Sequence, residues 1–122
     1  MTGYDEAVQR YFAAWNTTGA EERAKAVAAA FTADARYTDP LAEVRGHEGL
    51  AAVIGGVHEQ FPGFRFRPAG TADGHHDLVR FAWELVSPAD GSAPVAGFDV
   101  VRLAEDGRIS SVSGFLDRVP DA

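Results

Sequence analysis

Apolar residues recur at helical spacing through the first half of this chain and at every second position through most of the rest. Tyr4, Val8, Tyr11 and Trp15 stand at i, i+4, i+7 and i+11, one stripe of an amphipathic first helix. Thr18 followed by Glu21 reads as a capping box for a second helix, whose buried face is Ala24, Val27, Ala28 and Phe31. A short strand over about 33–39 ends at Pro40, which fixes φ and has no N–H to donate. Leu50, Val53, Ile54, Val57 and Phe61 mark a third helix beginning near Gly46.

The period then changes to two. Phe64 and Phe66 alternate with Arg65 and Arg67, and Val79, Phe81, Trp83 and Leu85 alternate with Arg80, Ala82 and Glu84. Segments 95–103 and 108–117 complete four strands, with turns at Asp73-Gly74, Asp90-Gly91 and Asp106-Gly107. The order α-α-β-α-β-β-β-β predicts an α+β fold, a curved antiparallel sheet with the helices packed on one face. Val79, Phe81, Trp83, Val101 and Val112 belong to the covered face. Arg65, Arg67, Arg80 and Arg102 fall on the other parity, with Glu84.

The last hairpin can be read in register. With Asp106-Gly107 as a two-residue turn, Glu105 faces Arg108, Val101 faces Val112 and Asp99 faces Gly114. One face then carries Gly97, Asp99, Val101 and Leu103 beside Ser110, Val112, Gly114 and Leu116. This is the more apolar face, so Asp99 points into the core, opposite a residue with no side chain. The other face exposes Phe98, Val100 and Phe115, an apolar group that predicts a homodimer contact.

Composition narrows the chemistry. The 122 residues suit one domain, spanning 1–122. With no cysteine, disulfides, thiolate metal sites and a thiol nucleophile are excluded. Eighteen acids against 11 bases give a net charge of −7, which repels nucleic acid and anionic membrane surfaces. No apolar run reaches the roughly 18 residues of a membrane span and no signal-peptide pattern opens the chain, so a soluble, cytoplasmic domain is expected. Neither a nucleotide loop nor Gly-x-Ser-x-Gly occurs, and no cofactor is expected. His75 and His76 are neighbours in a strand and so face opposite ways. His47 and His58 are roughly 16 Å apart along their helix. No metal site is expected, although one histidine of the first pair could line a pocket as an acid or base.

The segment Arg10-Tyr11-Phe12-Ala13-Ala14-Trp15-Asn16, the run Tyr37-Thr38-Asp39-Pro40, and Gly97-Phe98-Asp99 with Asp106-Gly107-Arg108-Ile109 occur in this order of elements. Together they resemble the nuclear-transport-factor-2-like superfamily, and within it the SnoaL-like and ketosteroid-isomerase-like bacterial proteins. The resemblance runs from about Tyr4 to Asp117. It implies a cone-shaped roll, three N-terminal helices on a curved antiparallel sheet, with a pocket between the layers and commonly a homodimer through the outer sheet face.

By the same resemblance, Tyr11 takes the place of an oxyanion donor, Asp39 of a general base and Asp99 of a second donor that must stay protonated. A carboxylate can remove a proton α to a carbonyl when donors stabilise the enolate oxygen. An apolar site can keep a second carboxyl neutral so that it donates. The implied pocket wall is Trp15, Phe31, Tyr37, Val53, Val57, Phe61, Phe81, Trp83, Val101, Val112, Gly114 and Leu116. Isomerases of this type carry aromatic residues in the middle of the third helix, where this chain has Val53, Ile54, Gly55 and Gly56.

The expected ligand is a small hydrophobic carbonyl compound and the expected chemistry proton transfer, with isomerisation first. A polyketide-type aldol cyclase and a non-catalytic hydrophobic-ligand binder stay open. An epoxide hydrolase would need an arginine in the pocket, which the outward parity of Arg80 and Arg102 disfavours. Simpler readings also stand beside each site residue: an Asx turn for Asp39 before Pro40, a buried acid bonded to a helix end for Asp99, and a core tyrosine for Tyr11.

Overall fold

The computed structural model describes residues 3–120. The first stripe folds into α1 (Gly3–Asn16) and buries Ala7, Tyr11, Phe12, Ala14 and Trp15. α2 (Ala20–Ala30) follows, and β1 (Phe31–Thr38) begins directly at its end. Next come β2 (Glu43–Arg45), α3 (Gly46–Gln60), β3 (Arg65–His75), β4 (Leu78–Val86), β5 (Val95–Leu103) and β6 (Ile109–Arg118). The strands form one curved, unclosed sheet in the order β2-β1-β6-β5-β4-β3, and the three helices pack on it. Val79, Phe81, Val101 and Val112 are buried under the helices, Trp83 is half-buried against the same core, and Arg80 is exposed.

The sheet is mixed rather than wholly antiparallel, because β1 runs parallel to β6, pairing Tyr37 with Val112 and Thr38 with Ser113. β1 joins β6 across most of the sequence, and strand periodicity carries no record of so distant a neighbour. The edge strand β2 was not in the expected order. At three residues it is too short to show a period, and it forms by pairing Tyr37 with Val44.

Three local expectations give way to different solutions. The capping box at Thr18 does not form. The N-cap is Gly19 without a side-chain cap, one residue later than the box requires, and Arg23 instead bonds the carbonyls of Thr17 and Thr18. α2 buries Val27 and Ala30, whereas Ala24 and Ala28 are exposed and Phe31 belongs to β1.

Asp73-Gly74 is not a turn but lies inside β3. A Cβ on Gly74 would sit 2.7 Å from the Tyr4 ring, so this glycine serves a close helix–sheet contact. The chain reverses at His76-Asp77, with His76 at φ 51°. His76 is therefore in a turn rather than a strand, and its ring meets that of His75 edge-on at 5.9 Å.

The β5–β6 hairpin differs at its tip. Ala104 donates to the Arg108 carbonyl at 2.8 Å, so the loop is Glu105-Asp106-Gly107 and Glu105 does not face Arg108. Gly107 takes φ +87°, the conformation this loop demands. A bulge between Arg102 and Leu103 then removes the one-residue offset, restoring Val101 opposite Val112 and Asp99 opposite Gly114.

Candidate active site

Regular strand geometry turns Asp99 inward from the middle of β5, between Phe81 on β4 and Gly114 on β6. It is 1% exposed and is the buried charged residue of the described core. Gly114 makes the space: a Cβ there would lie 2.6 Å from Asp99 Oδ1 and 3.4 Å from Asp39 Cβ. The Tyr11 hydroxyl, brought across by α1, donates to Asp99 Oδ2 at 2.5 Å. Burial raises the Asp99 carboxyl to about 7. The bond from Tyr11 opposes that shift, the negative charge of Asp39 adds to it, and the Trp83 side chain favours the anion. The Tyr11 phenol is itself pushed well above its ordinary range by burial and by the charge of Asp99.

A second tyrosine–aspartate pair closes β1. Tyr37 and Asp39 are two residues apart, and the Tyr37 hydroxyl donates to Asp39 Oδ2 at 2.5 Å. Asp39 Oδ1 accepts the N–H groups of Leu41 and Ala42, both at 2.8 Å. This is the Asx turn before β2. The turn and the cavity-facing position coexist, because the strand's parity holds Tyr37 and Asp39 on the core side. Burial and the Asp39 bond raise the Tyr37 phenol far above its ordinary range. Trp15 stands between the pairs, its ring 6.0 Å from that of Tyr11 and 5.7 Å from that of Tyr37.

Both pairs meet a cavity of about 340 Å³ lined by Tyr11, Trp15, Tyr37, Asp39, Leu41, Val57, Gln60, Phe61, Phe66, Trp83, Leu85, Val95, Leu116, Val119 and Pro120. Of the expected wall, Trp15, Tyr37, Val57, Phe61, Trp83 and Leu116 line it. Phe31, Phe81, Val101 and Val112 do not, since they are consumed in the core beneath, and Val53 is packed half-buried against that core. Gly114 lies below the floor, between the two aspartates. Asp99 is not a lining residue either and meets the cavity through Tyr11.

Sequence reasoning missed Leu41, Gln60, Phe66, Leu85, Val95, Val119 and Pro120 as lining residues. Phe66 and Leu85 share the alternating parity of Trp83 and were open to discovery. Leu41, Val119 and Pro120 lie outside any element and carry no periodic signal.

The histidines do other work. His58 Nε2 bonds the Trp15 carbonyl at 2.7 Å and His47 Nε2 the Phe31 carbonyl at 2.9 Å, tying α3 to its neighbours. Neither His75 nor His76 lines the cavity. Among the described residues no group of three or more His, Asp or Glu is placed to hold a metal ion. Arg67, Arg80 and Arg102 form exposed ion pairs with Glu84, Asp73 and Asp77. Among the described residues no helix is long and apolar enough to cross a membrane.

A crystal structure from Agrobacterium tumefaciens C58, described as a "putative isomerase of the SnoaL-like family", is 46% identical to this chain, with a TM-score of 0.89 over 96% of this chain and 99% of that one. A "putative SnoaL-like polyketide cyclase" from Jannaschia sp. CCS1 is 22% identical, with a TM-score of 0.74 over 94% and 85%. A SnoaL-like protein of unknown function from Burkholderia thailandensis E264 is 15% identical, with a TM-score of 0.72 over 95% and 98%. The last two share the fold. No curated protein is similar to the chain. The profile of the SnoaL-like domain matches residues 8–112, and the chain belongs to that family.

Proposed function

We propose that this protein is an acid–base enzyme that moves a proton on a small, neutral, hydrophobic carbonyl compound, with isomerisation as its leading reaction. The observation that carries the reading is the convergence of two tyrosine–aspartate pairs, in different environments, on one apolar cavity. Asp39 faces the cavity and is the base. It takes a proton from the carbon α to the carbonyl and returns it to another carbon of the conjugated system. Between the two transfers charge gathers on the carbonyl oxygen, where Tyr11 donates. When Asp99 is protonated, its O–H can donate to the Tyr11 oxygen, which leaves the Tyr11 proton for the ligand. When Asp99 is ionised, that proton is held at Oδ2. Asp99 thus acts behind Tyr11 and not as a second direct donor.

An aldol cyclase would use the same groups differently, with the neutral Asp99 delivering its proton through Tyr11 to a carbonyl while an enolate closes a ring. The raised Asp99 carboxyl is the observation that favours it. Exchange of α-protons in D2O separates catalysis from mere binding without knowledge of the natural substrate. With 1-tetralone as the probe, exchange above the buffer rate is expected. Saturating binding with no enhanced exchange would leave only the binding protein.

The outer sheet face carries Phe98 and Phe115, stacked at 5.1 Å, with Phe115 53% exposed. The exposure of Phe115 beside Phe98 supports a homodimer in which a second copy covers the pair. Light scattering should give twice the 13.0 kDa chain mass, and the monomer mass would refute it.

A further inference from the structure

The cavity buries its two tyrosines, and its exposed lining residues are Leu41, Val119 and Pro120 with one amide, Gln60. Tyr11 and Tyr37 are 3% and 4% exposed, whereas Leu41 is 84% and Val119 57% exposed, and all four line the same space. Among the described residues only three large hydrophobic side chains are exposed, and the third, Phe115, is on the outer sheet face. Single exposed apolar residues mean little, but two at the rim of one apolar cavity form a continuous surface with it. Leu41 is also fixed in place, because its own N–H and that of Ala42 bond Asp39 Oδ1, so the turn that carries it is tied to the candidate base.

We infer that the ligand enters oxygen first and that its apolar tail lies across Leu41 and Val119, which select neutral carbonyl compounds longer than the cavity is deep. This rests on the reading of Tyr11 as the group that receives the carbonyl oxygen. Among the described residues no lysine, arginine or histidine lines the cavity, so a tail ending in carboxylate or phosphate finds no counter-charge from them. The net charge of −7 opposes it further. A tail of alkyl or aryl carbon gains from both the wall and the rim.

The test is a series of para-alkylacetophenones, methyl to octyl, in which the oxygen is constant and only the far end grows. For the wild-type protein Kd should fall by up to about fourfold per methylene as the chain crosses the rim. In Leu41→Ser combined with Val119→Ser the long members should lose that gain, so that Kd levels off with chain length. Both side chains are exposed, so the fold should survive the exchange. Tyr11→Phe should weaken every member by one common factor. A chain-length dependence unaltered by the rim substitutions overturns the inference, even with the Tyr11 effect intact. Absence of the Tyr11 effect overturns the carbonyl reading beneath it.

Discussion

The two tyrosine–aspartate pairs have the same chemical composition and opposite settings. Asp99 sits in the middle of a sheet, 1% exposed, with the Tyr11 hydroxyl as its close hydrogen-bond donor. Asp39 sits at a strand end, half-buried, with three donors on its two oxygens and a face on the cavity. Burial with so little hydrogen bonding favours the neutral acid in the first pair. A turn that presents N–H groups suits a carboxylate in the second. Placement, not residue type, divides the labour: Asp99 holds a proton behind Tyr11, and Asp39 is free to take one.

The largest expected effect breaks the second pair. Asp39→Asn leaves the turn an oxygen acceptor but no base, and should slow tetralone α-proton exchange by about 10²–10⁴-fold. Tyr11→Phe removes the donor at the carbonyl oxygen and should cost less than Asp39→Asn. Asp99→Asn should cost least, since Tyr11 keeps its hydroxyl. With a turnover substrate, the same order in kcat supports the isomerase. Asp99→Asn proving more damaging than Asp39→Asn would transfer the assignment to the cyclase.

Gly114→Ala tests the space between the pairs. The new methyl would stand 2.6 Å from Asp99 Oδ1, so the carboxyl, bonded to Tyr11 through Oδ2, must shift. Overpacking of this kind costs about 1–3 kcal/mol, and a lower Tm in thermal unfolding should report it. An unchanged Tm would show that Asp99 has room the structure does not display.

A smaller effect follows from the raised carboxyl. In the unfolded chain Asp99 loses its proton near its ordinary value of 3.8, whereas in the folded protein it keeps it to about 7. Between these values the folded state binds the extra proton, so the contribution of Asp99 to stability declines as pH rises and is fully lost above about 7. The difference in Tm between Asp99→Asn and wild type should therefore grow in favour of the variant from about pH 4 to 7 and then level off. A flat difference would mean that Asp99 titrates alike in both states.

The first pair was largely legible in the sequence and the second only in part. Asp99 alternates with Gly97 and Val101 in a long strand, and Gly114 stands opposite, so its burial follows from parity alone. That reading survived an incorrect turn only because the bulge at Arg102 and Leu103 cancels the longer loop. Tyr37 and Asp39 share parity too, but their hydrogen bond and the rim at Leu41 depend on a turn into β2, a strand of three residues. The parallel β1–β6 pairing and the contribution of Val119 depend on contacts distant along the chain. Gly74 shows the converse: a strong turn dipeptide was overruled because Tyr4 needed its face.

The division between the pairs is tested most directly by following the Asp99 side-chain carboxyl carbon by ¹³C NMR across pH. The account gives a midpoint near 7 in the wild-type protein. In Tyr11→Phe the midpoint should be higher, because the lost hydrogen bond favoured the anion. A midpoint near 4, the ordinary value for an aspartate, would contradict the account, for Asp99 would then be ionised at neutral pH and hold the Tyr11 proton away from the ligand.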